Sequence, residues 1–187
     1  MNYQVSQKAK YHLKIIVCGG GAVGKTSIVR RYIEDRFEYN YLLTVGLDPS
    51  NRQIEINGNL INLIIYDVAG QKRFQVLREI FFRKANGALL VFDLTRPETL
   101  EELYEWQEQI DRNLGQNQIP TILIGNKSDL DEYIRIAYDD LEDEIIPELK
   151  PIKYLETSAK ADINIREAFE LLTREILERE GIISKES

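Results

Sequence analysis

Cysteine, methionine, tryptophan and histidine each occur once in this sequence of 187 residues, and long apolar runs are absent. With Cys18 as the single cysteine, no intramolecular disulfide can form, which favours a reducing compartment and a cytoplasmic location. Cys18 lies in an apolar run, so we expect it to be a small core residue and not a nucleophile. No stretch approaches the roughly 18 uninterrupted apolar residues of a membrane-spanning helix, so we expect no such helix.

Signals for membrane attachment are also missing from both ends of the sequence. Residues 1–4 contain neither the apolar segment of a signal peptide nor a glycine for myristoylation. Residues 183–187 contain no cysteine that could accept a prenyl group. We therefore expect no membrane anchor in the sequence as given.

Positive charge is in short supply. Lysine and arginine total 24 against 31 aspartate and glutamate residues, which gives a net charge of −7. This balance argues against a nucleic-acid-binding protein, which would normally present a basic face. A single nucleotide held in one local basic pocket remains compatible with it.

The pattern of apolar segments predicts one α/β domain. We expect a polar leader over residues 1–11, the folded domain over 12–180 and a short tail over 181–187. The segments that predict strands are 13–18, 53–56, 60–66, 88–92, 121–124 and 152–155. Helical patterns occupy 27–33, 98–114, 138–149 (with a break around Pro147) and the residues after Asn164. The alternation of strand and helix segments predicts a three-layer fold around a mostly parallel six-stranded sheet. The hairpin signal at 57–59 predicts that one edge strand of this sheet is antiparallel.

A glycine-rich loop lies between the first predicted strand and the first predicted helix. Residues 19–26, GGGAVGKT, match the pattern G-x-x-x-x-G-K-[ST]. Glycines allow successive backbone N–H groups to face an anion, and the helix N-terminus adds positive potential there. Lys25 can reach the outer phosphates of a nucleotide, and the Thr26 hydroxyl can ligate Mg²⁺.

A second motif follows the strand at 60–66. Asp67 can hold the Mg²⁺ shell opposite Thr26, because both should lie at the carboxyl edge of the sheet. Gly70 can bring its backbone N–H close to a γ-phosphate without an intervening side chain.

Two further motifs predict recognition of guanine. Asn126, Lys127 and Asp129 follow the buried strand at 121–124. The Asp129 carboxylate can accept hydrogen bonds from N1–H and the 2-amino group of guanine, a donor pair that adenine lacks. The stem of Lys127 can cover the base, and Asn126 can join this loop to the phosphate loop. In the segment 156–160, the N–H of Ala159 is suited to donate to guanine O6.

With these motifs in this order, the chain resembles a small GTPase of the Ras superfamily over roughly residues 11–180. Val45-Gly46 after Thr44 and the segment 70–74 make it most similar to the Rab branch, which implies a role in signalling or intracellular trafficking. The resemblance implies the G-domain fold of P-loop NTPases and GTP or GDP with Mg²⁺ as ligands. It also implies that effector, exchange-factor and GTPase-activating proteins bind through residues 38–48 and 68–80.

The resemblance also implies roles for individual residues. Thr44 would close on Mg²⁺ and the γ-phosphate, Phe37 would pack against guanine, and Gln71 would orient the attacking water. The implied catalytic residues are Lys25, Thr44, Gly70 and Gln71, and the implied metal ligands are Thr26, Thr44 and Asp67. The implied nucleotide-binding set is Gly21, Ala22, Val23, Gly24, Lys25, Thr26, Ser27, Phe37, Thr44, Gly70, Asn126, Lys127, Asp129, Ser158, Ala159 and Lys160.

The sequence departs from the Rab pattern in places. Pro49 and Tyr66 stand where Rab proteins usually have Phe and Trp, which changes the effector-facing surface. Lys72 replaces the usual glutamate after the glutamine and reverses a charge.

We interpret the chain as a GTP/GDP molecular switch with slow intrinsic hydrolysis. One alternative is a nucleotide-binding interaction module that holds GTP or GDP with little hydrolysis. Another is a P-loop ATPase or kinase, against which Asp129 argues.

Overall fold

The computed structural model describes residues 9–37, 49–68, 80–115, 118–136 and 138–185, and the strands among them form one six-stranded sheet. The strands are β1 Tyr11–Gly19, β2 Ser50–Ile56, β3 Asn59–Asp67, β4 Gly87–Asp93, β5 Thr121–Asn126 and β6 Lys153–Thr157. Their order across the sheet is β2-β3-β1-β4-β5-β6. β2 is antiparallel to β3, and every other neighbouring pair is parallel. The predicted sheet with one antiparallel edge strand is confirmed.

The β2–β3 hairpin turns through two residues in the left-handed conformation, Asn57 with a φ of 49° and Gly58 with a φ of 72°. Such a pair suits the right-handed twist of the two strands. β2 begins three residues earlier than the predicted 53–56, because the ladder continues to the pair formed by Ser50 and Ile65. Backbone pairing thus extends the strand through polar residues with little strand propensity.

The helices are α1 Lys25–Glu34, α2 Glu98–Leu114, α3 Tyr138–Asp140, α4 Ile146–Leu149 and α5 Ile165–Arg179, with a 3₁₀ turn at Asp131–Tyr133. α2 has the predicted limits. Pro97 precedes it, and Gly115 ends it with a φ of 59° while its N–H donates to the Asp111 carbonyl at 2.9 Å. A proline before the first turn and a glycine after the last are the expected start and stop signals.

The helix predicted over 138–149 is instead three short pieces. A π-helical turn, Leu141–Ile145, lies between α3 and α4. Pro147 is the second residue of α4 and has no N–H to donate to the preceding turn. The sequence therefore predicted the break but not the wider turn, which directs Leu141 and Ile145 into the core.

The core lies on both faces of the sheet, as a three-layer fold requires. Along β1, Ile15 and Val17 pack with α1 and α5, whereas Ile16 and Cys18 pack with α2 and the 141–149 segment. This alternation follows from the two-residue period of a strand. Cys18 is fully buried, as expected for a core residue. Within the described ranges, no helix is long and apolar enough to span a membrane.

The parallel strands end together at one edge of the sheet. The register pairs Asp93 of β4 with Asn126 of β5, and Asn126 with Thr157 of β6. β3 ends at Asp67, next to β1, which leads into the glycine-rich loop. Ligand sites in α/β proteins lie at this edge, so the topology brings the predicted motifs together.

We predict that Phe169→Ala lowers the free energy of unfolding by about 3–5 kcal/mol. Phe169 is fully buried in the first turns of α5, and its ring stacks on Tyr32 of α1 with centroids 4.0 Å apart. Urea unfolding at fixed GDP and Mg²⁺ concentrations measures the change. Tyr133→Ala is the matched control, because Tyr133 is 59% exposed and should cost below about 0.5 kcal/mol. Equal losses in the two variants would contradict the assigned core.

Candidate nucleotide-binding site

The loop between β1 and α1 has a backbone that glycine makes possible. Gly24 has a φ of 101°, and a Cβ there would lie 2.2 Å from Nδ2 of Asn126. Gly19 has a φ of 145°, and a Cβ there would lie 2.0 Å from the carbonyl oxygen of Val91. The glycines therefore allow both left-handed conformations and close packing against β4 and β5.

The carbonyl groups of this loop are held by donors from several places. Nζ of Lys25 donates to the carbonyls of Gly19 at 2.9 Å and Gly20 at 2.6 Å. Nδ2 of Asn126 donates to the carbonyl of Val23 at 2.8 Å. In a trans peptide the carbonyl and the following N–H point in opposite directions. The Val23 carbonyl therefore directs the N–H of Gly24 away from Asn126, as an anion-binding loop requires.

The start of α1 fits a phosphate group. The N-cap Gly24 supplies no side-chain hydrogen bond to the first turn, so a bound anion can satisfy those N–H groups. Lys25 is 6% exposed, and a buried ammonium is stabilised by a nearby anion. A Cβ on Gly21 would meet no atom of the described residues within 4 Å, so these residues leave the space beside the loop open.

Thr26 and Asp67 supply oxygen ligands suited to Mg²⁺. The Thr26 hydroxyl, in the first turn of α1, donates a hydrogen bond to Oδ2 of Asp67 at the end of β3. Among the described residues no group of three or more His, Cys, Asp and Glu could hold a metal ion. Mg²⁺ usually takes one or two protein oxygens together with water and substrate phosphates, so this pair fits it.

Asn126 connects three segments of the site. Besides its bond to Val23, its Oδ1 accepts the Thr157 hydroxyl at 3.1 Å and the N–H of Ala159 at 3.3 Å. Asn126 is 2% exposed, so these groups replace the water that its amide loses. We expect the N–H of Ala159 to face guanine O6. In this structure it donates instead to Oδ1 of Asn126, over the long distance of 3.3 Å.

Asp129 is oriented by the loop that follows β6. One carboxylate oxygen accepts the Ser158 hydroxyl at 2.6 Å, and the other lies 3.7 Å from Nζ of Lys160. Ser158 also accepts the N–H of Ala161 at 2.9 Å. The two predicted guanine-recognition motifs therefore contact each other directly.

Lys127 and Phe37 make contacts that the sequence did not predict. Nζ of Lys127 lies 2.6 Å from Oδ2 of Asp93. Phe37 is partly buried against the core cluster of α1 and α5. Val23 and Ser27 lie at the same loop and helix start, with Val23 fully buried.

Three predicted residues, Thr44, Gly70 and Gln71, lie outside the described residues, as do 38–48 and 69–79. Of the segment 68–80, Val68 is buried and Ile80 is 61% exposed.

Sequence reasoning missed Asp93, Arg96 and Arg31. The sequence contains a signal for Asp93, because this acidic residue directly follows an apolar predicted strand. Arg96 follows it by three residues and forms an ion pair with it at 2.9 Å. Nε of Arg31 on α1 donates to the carbonyl of Ala159 at 2.9 Å, which fixes the loop after β6.

An α/β sheet with a glycine-rich loop before α1 defines the class of P-loop nucleotide-binding proteins. The protein-family model of the Ras family matches residues 14–178. Ras-related protein Rab-32B of Dictyostelium discoideum is 39% identical over 175 residues, which cover 90% of this chain and 66% of that protein. Ras-related protein Rab-13 of Rattus norvegicus is 35% identical over 175 residues, which cover 93% of this chain and 85% of that protein. GTP-binding protein ypt2 of Schizosaccharomyces pombe is 34% identical over 166 residues, which cover 89% of this chain and 82% of that protein.

The chain therefore belongs to the Ras family and, within that superfamily of small GTPases, to the Rab branch. As a member it binds GTP and GDP with Mg²⁺, hydrolyses GTP and acts as a GTP-binding switch. Members of this family interact with regulator and effector proteins in general.

We predict that Asn126→Ala lowers the free energy of unfolding by about 2–3 kcal/mol, because three buried groups lose a partner. Thermal or urea unfolding at fixed GDP concentration measures the loss. Asn113→Ala is the control, since Asn113 donates one bond to the Gln109 carbonyl within α2 and should cost about 0.5–1 kcal/mol. Similar losses of unfolding free energy in both variants would show that the hydrogen bonds of Asn126 between separate segments stabilise the fold no more than one bond within a helix.

Proposed function

We propose that the described loops form a single guanine-nucleotide site, with each predicted residue in the role that its motif implies. The observation that best supports this is the set of three hydrogen bonds made by Asn126. They join the phosphate loop to both candidate base-recognition loops, so one ligand can contact all three. The proposed nucleotide-binding domain is the segment 12–180.

The phosphate part of the proposed site consists of the backbone N–H groups of residues 20–26 and the ammonium of Lys25. Nζ of Lys25 donates to the neutral carbonyls of Gly19 and Gly20, and on binding it exchanges these bonds for bonds to the anion. This exchange offsets the cost of burying the ammonium. Ser27, one residue further along α1, adds its backbone N–H near the helix N-terminus.

The proposed metal ligands are Thr26, Thr44 and Asp67, with Asp67 acting through water. When bound, Mg²⁺ neutralises charge that develops on the phosphate oxygens during hydrolysis. The Thr26 hydroxyl donates its proton to Asp67 and keeps its lone pairs, with which it would ligate the ion, while Asp67 would act through a water.

The base part of the proposed site centres on Asp129. Ser158 and Lys160 hold its two oxygens, so the carboxylate is fixed before the base arrives. It accepts N1–H and the 2-amino group of guanine, while Lys127 and Phe37 cover the ring faces. Ala159 donates its N–H to O6 by exchanging the long bond to Asn126 for a shorter one.

Hydrolysis is assigned to Gln71, which positions the water, and to Gly70, whose N–H contacts the γ-phosphate. We expect a slow intrinsic rate, on the order of 10⁻⁴ to 10⁻³ s⁻¹, by analogy with Ras. Residues 38–48 and 68–80 are the proposed switch segments and the binding surface for effectors, exchange factors and activating proteins. Tyr66 precedes the second segment in the sequence and stands where Rab proteins usually have Trp; its ring lies 5.4 Å from that of Phe81 and beneath Nζ of Lys14.

We predict that Asp129→Ala removes the preference for GDP over inosine diphosphate, which lacks the 2-amino group. The wild-type preference should be roughly 10- to 100-fold, the value of one hydrogen bond to a charged acceptor. In the variant it should fall to within about threefold, because both ligands lose the carboxylate and only GDP loses a second bond. Displacement of a fluorescent GDP analogue measures both affinities.

Asp131→Asn is the control for this experiment, because Asp131 is exposed two residues further along. It should leave the preference unchanged. A preference that survives in Asp129→Ala would refute the assignment of Asp129. Tighter binding of ADP than of GDP by the wild type would refute the guanine site as a whole.

We predict that Gln71→Leu slows single-turnover GTP hydrolysis while leaving nucleotide affinity within about threefold. The leucine retains the side-chain volume but can neither donate to nor accept from water. Phosphate release after addition of Mg²⁺ to the GTP-loaded protein measures the rate. An unchanged rate would contradict the water-positioning role, and a wild type that releases no phosphate would favour the interaction module.

A further inference from the structure

The buried carboxylate of Asp93, at the end of β4, contacts two cationic side chains from separate loops. Asp93 is fully buried, and its oxygens accept the N–H of Thr95 at 3.0 Å and the Thr95 hydroxyl at 2.7 Å. Nε of Arg96 lies 2.9 Å from Oδ2, and Nζ of Lys127 lies 2.6 Å from the same oxygen. We call Asp93, Arg96 and Lys127 the Asp93 cluster.

These hydrogen bonds keep the carboxylate charged. Burial alone would raise the pKa of Asp93, but hydrogen bonds from Lys127, Thr95 and Arg96 hold it below its ordinary value. A charged Asp93 fixes Arg96 firmly, because charge-assisted hydrogen bonds are the stronger ones.

The same guanidinium also contacts the phosphate loop. Nη2 of Arg96 donates to the carbonyl of Gly21 at 3.0 Å. Arg96 therefore bridges Asp93 and the loop through two different nitrogens, a geometry that the planar fork of arginine permits.

The bond to Gly21 fixes the orientation of one loop peptide. Because the Gly21 carbonyl points at Arg96, the N–H of Ala22 in the same trans peptide points the opposite way. Ala22 has a φ of 61°, which a residue with a Cβ rarely adopts without support. The contact with Arg96 supplies that support from outside the loop.

We propose that Arg96 is a positioning residue for nucleotide binding: it holds the Gly21–Ala22 peptide with its N–H toward the phosphates, and through Asp93 it couples the phosphate loop to Lys127 of the base-recognition loop. This inference rests on the proposed guanine-nucleotide site. It assigns a binding role to a residue that none of the nucleotide motifs contains.

The test is the release of GDP from the Arg96→Ala variant. Release of a fluorescent GDP analogue in the presence of Mg²⁺ should be roughly 10- to 100-fold faster than from the wild type, the effect expected for a lost hydrogen bond to a charged donor. The ³¹P resonances of bound GDP should shift, because the amide that faces them changes orientation. An unchanged release rate, or faster release with unchanged ³¹P resonances, would overturn the proposal.

The Arg96→Lys variant tests whether a positive charge at this position is sufficient or whether the contacts of the guanidinium with both Asp93 and Gly21 are needed. A lysine ammonium can pair with Asp93 but does not reproduce a planar fork that reaches Asp93 and Gly21 together. Release from this variant should remain at least about fivefold faster than from the wild type, with its melting temperature nearly unchanged. Full restoration of slow release by lysine would overturn the bridging role.

Arg112→Ala is the matched control, because Arg112 pairs with Glu108 on the exposed side of α2, away from the loop. It should release GDP at the wild-type rate, and an equal acceleration in it would refute a specific role for Arg96. A wild type that does not retain GDP would refute the proposed site itself. A wild type that retains GDP, beside an Arg96→Ala variant that retains it equally well, would refute this inference alone.

Discussion

The buried amide of Asn126 is the contact on which the geometry of the site depends. Its donor side holds the phosphate loop at Val23, and its acceptor side holds the end of β6 at Thr157 and Ala159. Asparagine suits this position because one planar group both donates and accepts. An aspartate of the same shape has no N–H for the Val23 carbonyl, and a leucine would leave three polar groups unsatisfied. Asn126 therefore fixes the phosphate loop, its own loop and the loop after β6 relative to one another.

Charge at this edge of the sheet differs from that of the whole chain. The net charge is −7, yet Lys25, Arg96 and Lys127 all converge at the carboxyl ends of the strands. Backbone carbonyls of the phosphate loop and the carboxylate of Asp93 accept hydrogen bonds from these cations. Lys25 and the N-terminus of α1 therefore offer positive charge to a polyanionic ligand, although Asp67, Asp93 and Asp129 lie at the same edge and the protein as a whole is acidic.

The sequence could predict the sheet and the motifs because both depend on local signals. Apolar runs define the strands, and each motif follows the end of a strand, so parallel topology alone places Asp67 and Asn126 at the same edge of the sheet. The contact between Arg96 and Gly21 joins residues 75 apart and depends on side-chain conformations that no periodicity encodes. The π-turn at Leu141–Ile145 escaped prediction for a related reason, since packing of two buried side chains decides its form. Thr44 and Gln71 stay predictions, because they lie outside the described residues.

A switch needs one part of its site to be the same in both states. The described contacts that shape the phosphate loop come from Lys25 itself, from Arg96 after β4 and from Asn126 at the end of β5. In the proposed site, Arg96 and Asn126 act on the part of the ligand that GTP and GDP share, so these two residues would retain either nucleotide without distinguishing them. Discrimination between the two nucleotides would then come from groups that touch the γ-phosphate. Thr44, Gly70 and Gln71 are the candidates, and the energy that separates the two states is the binding energy of that one phosphate.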